Sequence, residues 1–260
     1  MKIGLFVSFM AICLLGPAYV LGQTNAEILL AAENKLEGLG CMAYQNTAAT
    51  SGTGVSSELC FADEIGPDPN DTHRWYRVYK APQRKTENKN AIWWIGDSRT
   101  VGMYSNKIIA GENEAVLAKV SMGYDWLVST ALPKLENCMR DGDTVILALG
   151  ANDIWRYNSY INLYEGLIEN NNGEVTFWIV SVNPVSDSKT RYLNNADIRT
   201  FNNKMKERFG DNWIDTFEVV KDSVSDECTD SEGLHYNSSC GIEQIVYSTV
   251  MGAISGNENQ

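Results

Sequence analysis

The chain has 260 residues, of which 44% are hydrophobic and 10% aromatic, enough to bury one sizeable core and leave an extension. Its formal charge of −12 at pH 7 repels nucleic acids and anionic membrane surfaces, so we expect neither as a partner. The chain has only two histidines and no Cys-x-x-Cys pair, which argues against a zinc site. We expect no metal or other cofactor.

The first 22 residues have the pattern of a secretory signal peptide. Lys2 is followed by an uncharged apolar run over residues 3–20, and the small residue Gly22 follows that run. An uncleaved membrane anchor is the alternative, because about 20 apolar residues can span a bilayer. Pro17 and Gly22 favour cleavage, so residues 1–22 are predicted to be a signal peptide and the protein to be secreted into the extracellular space.

Five cysteines lie beyond the predicted signal peptide, and an odd number leaves at least one without a partner in the mature chain. In an oxidising compartment the most economical pairings are Cys41 with Cys60 and Cys228 with Cys240. These pairings leave Cys138 as a buried thiol. Spacing alone does not fix the connectivity, so the pairing is a hypothesis.

Residues 23–90 form an N-terminal extension that is rich in Gly, Ser, Thr and Asn. A helix-like stretch at residues 26–39 is its main periodic element. The aromatic and β-branched residues at positions 75–79 predict a strand that docks on the main domain. A carbohydrate-binding role for these aromatic residues is the alternative, because exposed and buried aromatic residues look alike in a sequence.

Residues 91–260 have the pattern of an α/β domain. Strands are predicted at residues 92–95, 115–120, 144–149 and 175–182, where short runs are almost entirely apolar. Helices are predicted at residues 124–139, 153–169, 195–209 and 242–254, where apolar residues recur every three or four positions. Apolar strands alternating with helices predict a flavodoxin-like, three-layer α/β/α sandwich with a central parallel sheet.

Two short motifs follow predicted strands and would therefore meet at the carboxyl edge of the sheet, where ligands bind in such folds. Ser98 ends a Gly-Asp-Ser string after the strand at 92–95, and Asn152 lies in a Gly-Ala-Asn-Asp string after the strand at 144–149. A glycine, Gly123, follows the strand between them, and His235 lies near the C-terminus. A serine hydroxyl, a base and hydrogen-bond donors for an oxyanion are the groups that acyl transfer needs.

In this order the motifs resemble the SGNH family, which includes the GDSL-type esterases and lipases, and the resemblance covers roughly residues 91–255. It implies that Ser98 is the nucleophile and His235 the general base. It also implies that the backbone N–H groups of Ser98 and Gly123 and the side chain of Asn152 form the oxyanion hole. The family's fold agrees with the α/β sandwich predicted above.

The chain departs from the family at the residue that orients the histidine. The family has an Asp three residues before the His, whereas this chain has Glu232 there. Glu232 is the favoured candidate, since a carboxylate on one ring nitrogen fixes the tautomer whatever the length of its stem. Asp230 and a backbone carbonyl are the alternatives. Near the nucleophile, Asp97 is interpreted as a brace for the turn and Arg99 as scaffolding that pairs with Asp97 or Asp153.

The resemblance implies a secreted serine esterase that forms an acyl-enzyme on Ser98. Its expected substrate is a small ester or an acylated carbohydrate, with a short acyl group such as acetyl. Two alternatives stay open. One is a catalytically silent glycan-binding protein, for which Glu232 is the best argument, and the other is an acyltransferase with the same nucleophile.

Overall fold

The computed structural model describes residues 61–67, 76–83, 90–171 and 173–257, all within one unit of the chain, Ser57–Gln260. The predicted signal peptide, the helix-like stretch at 26–39 and the Cys41–Cys60 pair lie outside the described residues. The described residues form one mixed sheet. Its strands are β1 (Glu64–Pro67), β2 (Tyr76–Lys80), β3 (Ile92–Gly96), β4 (Glu114–Lys119), β5 (Thr144–Ala148), β6 (Thr176–Val180) and β7 (Trp213–Ile214).

The strand order is β1-β2-β4-β3-β5-β6-β7, and the five strands from β4 to β7 are parallel. Within that parallel part, the first strand in sequence, β3, lies between β4 and β5. The chain thus runs to one side of β3 and then to the other, which is the flavodoxin-like order. The carboxyl ends of β3 and β5 flank the switch point, where a crevice opens because the following connections diverge.

The sheet continues into the predicted extension. β2 pairs antiparallel with β4 through Val78 and Ala118, which confirms that a strand near residues 75–79 docks on the main domain. The buried Tyr79 hydroxyl accepts a hydrogen bond from Trp126 Nε1 at 3.2 Å, so this aromatic residue is part of the core. The sequence did not predict β1, which pairs antiparallel with β2.

The helices cover both faces of the sheet, as the three-layer prediction requires. They are α1 (Ser98–Ser105), α2 (Tyr124–Trp126), α3 (Leu132–Glu136), α4 (Tyr157–Asn170), α5 (Asn195–Phe209), α6 (Thr216–Val220) and α7 (Ile242–Asn257). α1 and α7 share one apolar cluster with Trp94, Val116 and Ile146, which lie side by side on β3, β4 and β5. Since successive residues of a strand face opposite sides of a sheet, the next residues along, such as Ile95 and Leu117, face the other layer.

Two predicted helices differ from the observed ones. The helix predicted at 124–139 is interrupted by a π-helical turn, Leu127–Ala131, in which Leu132 N–H donates to the Leu127 carbonyl five residues back. Pro133, one residue later, has no N–H to donate, so a regular α-helix cannot continue through this region. The helix predicted at 153–169 begins only at Tyr157, after a 3₁₀ turn, Ile154–Arg156. β7 and α6 are too short to leave a periodic pattern and were not predicted.

The described cysteines confirm one predicted disulfide and correct another prediction. Cys228 and Cys240 are bonded, with their Cα atoms 5.7 Å apart. Cys138 is buried, as expected, but it is a disulfide-bonded residue and not a thiol. Its partner lies outside the described residues. The prediction assumed that cysteines near each other in the sequence form the disulfides. That assumption was wrong for Cys138, because a disulfide requires closeness in space and not in sequence.

Candidate active site

Ser98 is the first residue of α1, directly after the turn that ends β3. Asp97 is the N-cap of this helix, and its Oδ1 accepts a hydrogen bond from Arg99 N–H at 3.0 Å. Burial raises the pKa of Asp97 above its ordinary value, although the charge and the N–H of Arg99 act in the opposite direction. The hydrogen bond from Arg99 N–H shows that Asp97 braces the turn, as predicted. Because the first N–H groups of a helix have no acceptor within the helix, the Ser98 N–H is available to a ligand.

A chain of two hydrogen bonds joins Ser98 to His235 and Asp230. His235 Nε2 lies 2.8 Å from Ser98 Oγ, although the two residues are 137 positions apart. His235 Nδ1 lies 2.8 Å from Asp230 Oδ2. A carboxylate can only accept, so Nδ1 carries the proton and Nε2 is left to accept from the serine hydroxyl. The three side chains thus have the arrangement that activates a serine nucleophile.

The favoured candidate for the residue that orients His235, Glu232, was wrong, since Asp230 bonds the ring. Asp230 and His235 begin and end a tight turn, in which Asp230 N–H donates to the His235 carbonyl at 2.9 Å. Asp230 Oδ1 also accepts from the N–H of Leu234 at 2.9 Å. Gly233 adopts a left-handed φ of +73°, which turns the chain back and leaves Glu232 exposed at the tip.

Hydrogen bonding keeps Asp230 ionised. Burial opposes its ionisation, but the hydrogen bonds from the His235 ring and from the Leu234 and His235 N–H groups outweigh burial and lower the pKa of this carboxyl. The negative charge next to Nδ1 stabilises the imidazolium that forms when Nε2 takes a proton. Asp230 can therefore support His235 across the whole pH range in which a histidine works as a base.

A disulfide and the ammonium of Lys189 also hold the loop that carries Asp230 and His235. The Cys228–Cys240 disulfide closes it. Lys189 Nζ donates to the carbonyls of Thr229 at 3.2 Å and Asp230 at 3.1 Å, and also to the carbonyl of Asp226. Lys189 was not predicted to be part of the site, because a lysine in a loop gives no signal that its ammonium binds carbonyls about 40 residues away.

Arg99 connects three segments around the site. Its guanidinium donates to the carbonyls of Asn183 at 2.7 Å, Leu234 at 3.2 Å and Pro184 at 3.4 Å. It also lies over the ring of Tyr236, 5.5 Å from the ring centroid. The scaffolding role was predicted, but the predicted carboxylate partners were wrong. Arg99 ties the Ser98 helix to the loop after β6 and to the His235 loop.

Asn152 and Gly123 lie next to the Ser98 turn. Asn152 Nδ2 donates to the carbonyl of Met122 at 3.0 Å and, at a long 3.4 Å, to Asp97 Oδ2. The side chain thus reaches the residue before Gly123 and the residue before Ser98. Because the 3.4 Å bond is weak, this N–H can turn to a better acceptor at little cost. The structure therefore brings Asn152 beside both backbone segments expected to form the oxyanion hole.

The Asp153 carboxylate packs against Gly123 and binds the residue after it. Its carboxylate accepts hydrogen bonds from the backbone N–H of Tyr124 and from the Tyr160 hydroxyl, each at 2.7 Å. A Cβ at Gly123 would lie only 2.3 Å from Asp153 Oδ2, so this close approach requires glycine. Asp153 thus binds the first turn of α2, 29 residues earlier in the chain.

Ser98 and His235 are both half-buried. A cavity of about 30 Å³ lies behind the Ser98 turn, against Asp97 and Asn183, and one of about 290 Å³ lies between the C-terminal ends of α4 and α5. Neither is lined by Ser98 or His235, and 41% of the His235 side chain is exposed. Among the described residues, no group of three or more His, Cys, Asp or Glu side chains could hold a metal ion. No helix in the same part of the chain is long and apolar enough to cross a membrane.

No family model and no curated protein matches the chain. The known proteins that are similar to it are similar in structure. A GDSL-like lipase from Bacteroides thetaiotaomicron has a TM-score of 0.54 at 11% identity, and the match covers 67% of this chain and 92% of that one. The catalytic domain of peptidoglycan O-acetyltransferase A from Streptococcus pneumoniae has a TM-score of 0.50 at 17% identity, covering 65% and 95%. An acetylxylan esterase from Geobacillus stearothermophilus has a TM-score of 0.47 at 13% identity, covering 64% and 94%. The predicted resemblance is thereby confirmed in the architecture: the chain has the fold of the SGNH and GDSL-type hydrolases.

Proposed function

We propose that this protein is a secreted serine esterase that removes short acyl groups, in particular acetyl groups, from a carbohydrate. The observation that carries the proposal is the chain of two 2.8 Å hydrogen bonds from Ser98 through His235 to Asp230. Such a chain provides a path for the serine proton and a charge that stabilises the resulting imidazolium.

The reaction has two halves. His235 Nε2 takes the proton from Ser98 Oγ while Oγ attacks the acyl carbon, and the oxyanion accepts hydrogen bonds from the N–H groups of Ser98 and Gly123 and from Asn152 Nδ2. The intermediate collapses, the C–O bond to the alcohol breaks, and the alcohol leaves with the proton from His235. A water molecule then gives a proton to His235 and attacks the acyl-enzyme. The acid is released and the proton returns to Ser98 Oγ.

The surroundings of the site support a short acyl group on a soluble, hydrated substrate. Among the described residues, neither of the two cavities above is lined by Ser98 or His235, and 41% of the His235 side chain is exposed, which favours a short acyl group on a substrate that approaches from solvent. The formal charge of −12 disfavours work at an anionic lipid surface. Secretion is supported by the apolar N-terminal run and by the Cys228–Cys240 disulfide, which suits an oxidising compartment.

An acyltransferase is the second candidate. The exposed face of His235 lets an alcohol approach the acyl-enzyme as readily as water does, and the chemistry of the first half-reaction is the same. A silent glycan-binding protein is disfavoured, because binding alone needs no proton path from Ser98 to Asp230. Its main argument, the Glu at position 232, also loses force now that Asp230 bonds the ring.

Hydrolysis of p-nitrophenyl esters from acetate to longer chains tests the proposal. We expect the wild type to turn over acetate fastest and Ser98→Ala to lose turnover. Ser105→Ala is the matched control, because Ser105 is exposed at the far end of the same helix. Activity that survives in Ser98→Ala would refute the proposal. Added xylotriose then separates the two enzymes, since an acyltransferase would form acetylated xylotriose in place of free acetate.

A further inference from the structure

Trp155 is unusual among the tryptophans of the described residues. The residue is 71% exposed. The others are buried: Trp93, Trp94, Trp126, Trp178 and Trp213. An indole carries one of the largest apolar surfaces of any side chain, and most of this one is left in water. A single exposed apolar residue is ordinary on a protein surface, but Trp155 lies on the loop that carries Asn152, and the turn that presents it is held on both sides.

Trp155 lies on the loop that carries Asn152, at the carboxyl edge of the sheet. Asn152 donates to Met122 O and reaches Asp97, beside the nucleophile. Trp155 follows three residues later, in the 3₁₀ turn Ile154–Arg156. β3 and β5 are parallel neighbours, so the Ser98 turn after β3 and the loop after β5 lie at the same edge of the sheet. Trp155 therefore lies at the same edge as the nucleophile.

The residues on either side of Trp155 are fixed. Asp153 binds the Tyr124 N–H and the Tyr160 hydroxyl, each at 2.7 Å. Arg156 forms an ion pair with Asp125 at 2.7 Å and stacks over the Tyr124 ring at 4.4 Å. The turn is thus held on both sides while the indole remains uncovered. A platform that is ordered before binding loses little conformational entropy when a ligand covers it.

We infer that Trp155 is a stacking platform for a sugar ring in the alcohol portion of the substrate, an assignment that rests on the proposed esterase function. One face of a pyranose presents C–H groups, which carry partial positive charge and are attracted to the negative face of an indole. Its rim presents hydroxyl groups, which suit polar side chains, and Asn152 and Arg156 lie on the same loop as Trp155. A flat apolar face among a few polar groups is the chemistry of a carbohydrate subsite.

The test compares two acetate esters that differ in the alcohol. O-acetylated xylotriose can cover Trp155, whereas ethyl acetate is too small to do so. We expect Trp155→Ala to lower the ratio of the two kcat/KM values about tenfold and Trp155→Phe to restore most of it, because an aromatic face remains. Ile65→Ala is the control, since Ile65 is exposed on the distant strand β1, and it should leave the ratio unchanged.

A binding measurement keeps this inference separate from the catalytic proposal. Xylotriose is titrated into Ser98→Ala protein, with and without Trp155→Ala, and heat or tryptophan fluorescence is followed. Binding that weakens about tenfold without the indole supports the platform even if no ester is turned over. An unchanged ratio and unchanged binding would overturn it, as would Trp155-dependent binding to phosphatidylcholine vesicles in place of the sugar. If the wild type hydrolysed no ester but still bound xylotriose through Trp155, the result would count against the esterase and not against the platform.

Discussion

Replacing Asp230 by asparagine tests how His235 is oriented. Asparagine has the same size, and its Oδ1 can still accept the Leu234 N–H that holds the turn. It lacks the charge, however, and it can present an N–H to the ring, which favours the wrong tautomer. The variant should therefore fold normally, but lose the electrostatic support of the base and part of the preference for the correct tautomer.

The geometry of the Asp230–His235 pair sets the size of the electrostatic part of the loss in kcat. Unit charges about 4 Å apart near a protein surface attract by roughly 4 kcal/mol. Asp230 Oδ2 lies 2.8 Å from His235 Nδ1, but 34% of the Asp230 side chain and 41% of the His235 side chain are exposed, so solvent screens part of the attraction. If about 3 kcal/mol survives, and 1.36 kcal/mol is worth a factor of ten, kcat falls by about 100-fold.

The assay is initial-rate hydrolysis of p-nitrophenyl acetate, with Glu232→Gln as the matched control. Glu232 lies two residues from Asp230 on the same turn and is exposed, so its carboxamide variant should stay within about twofold of the wild type. The thermal unfolding midpoint of both variants checks that the fold is intact. If Glu232→Gln lost activity and Asp230→Asn kept it, the orientation of His235 through Asp230 would be refuted.

The His235 loop and the turn before Ser98 lead to three more predictions. Replacing Cys228 and Cys240 by serine opens a loop whose ends are 12 positions apart, and the chain-entropy model predicts a loss of about 3 kcal/mol in the free energy of unfolding, measured with urea; an unchanged value would contradict it. Burial raises the pKa of Asp97, so the native state binds more protons than the unfolded state between the ordinary value of 3.8 and the raised one. As pH rises through that window, the free energy of unfolding of the wild type should therefore fall relative to that of Asp97→Asn. A difference between the two proteins that does not change with pH would contradict a raised pKa for Asp97. Lys189→Met removes the ammonium from carbonyls beside Asp230, and we expect a several-fold lower kcat with unchanged KM and an altered pH profile of kcat; a change in KM alone would show a different role.

Features encoded by local pattern were predictable from the sequence. The strands before Ser98 and Asn152 are continuous apolar runs, so their ends, and therefore the edge on which these residues lie, follow from periodicity. The flavodoxin-like order agrees with the predicted fold, and the strand near residue 78 was recognised by its aromatic and β-branched residues.

Features that depend on three-dimensional contacts were not predictable. The choice between Asp230 and Glu232 depends on a turn closed by the Asp230 N–H and the left-handed Gly233, and sequence spacing does not encode that geometry. Arg99 was expected to pair with a carboxylate, but its guanidinium bonds three backbone carbonyls. Every residue has a backbone carbonyl, so the sequence does not indicate which ones Arg99 binds. Cys138 was assigned by its distance along the chain, which says little about distance in space.

The most direct test of the central claim is to trap the acyl-enzyme. The protein is mixed with p-nitrophenyl acetate, quenched in acid within the first turnover and digested, and its peptides are analysed by mass spectrometry. We expect one acetyl group, on Ser98, which is absent from Ser98→Ala and forms much more slowly in Asp230→Asn. Acetylation of a different residue, or turnover without any acetylated Ser98, would contradict the assignment of Ser98 as the nucleophile.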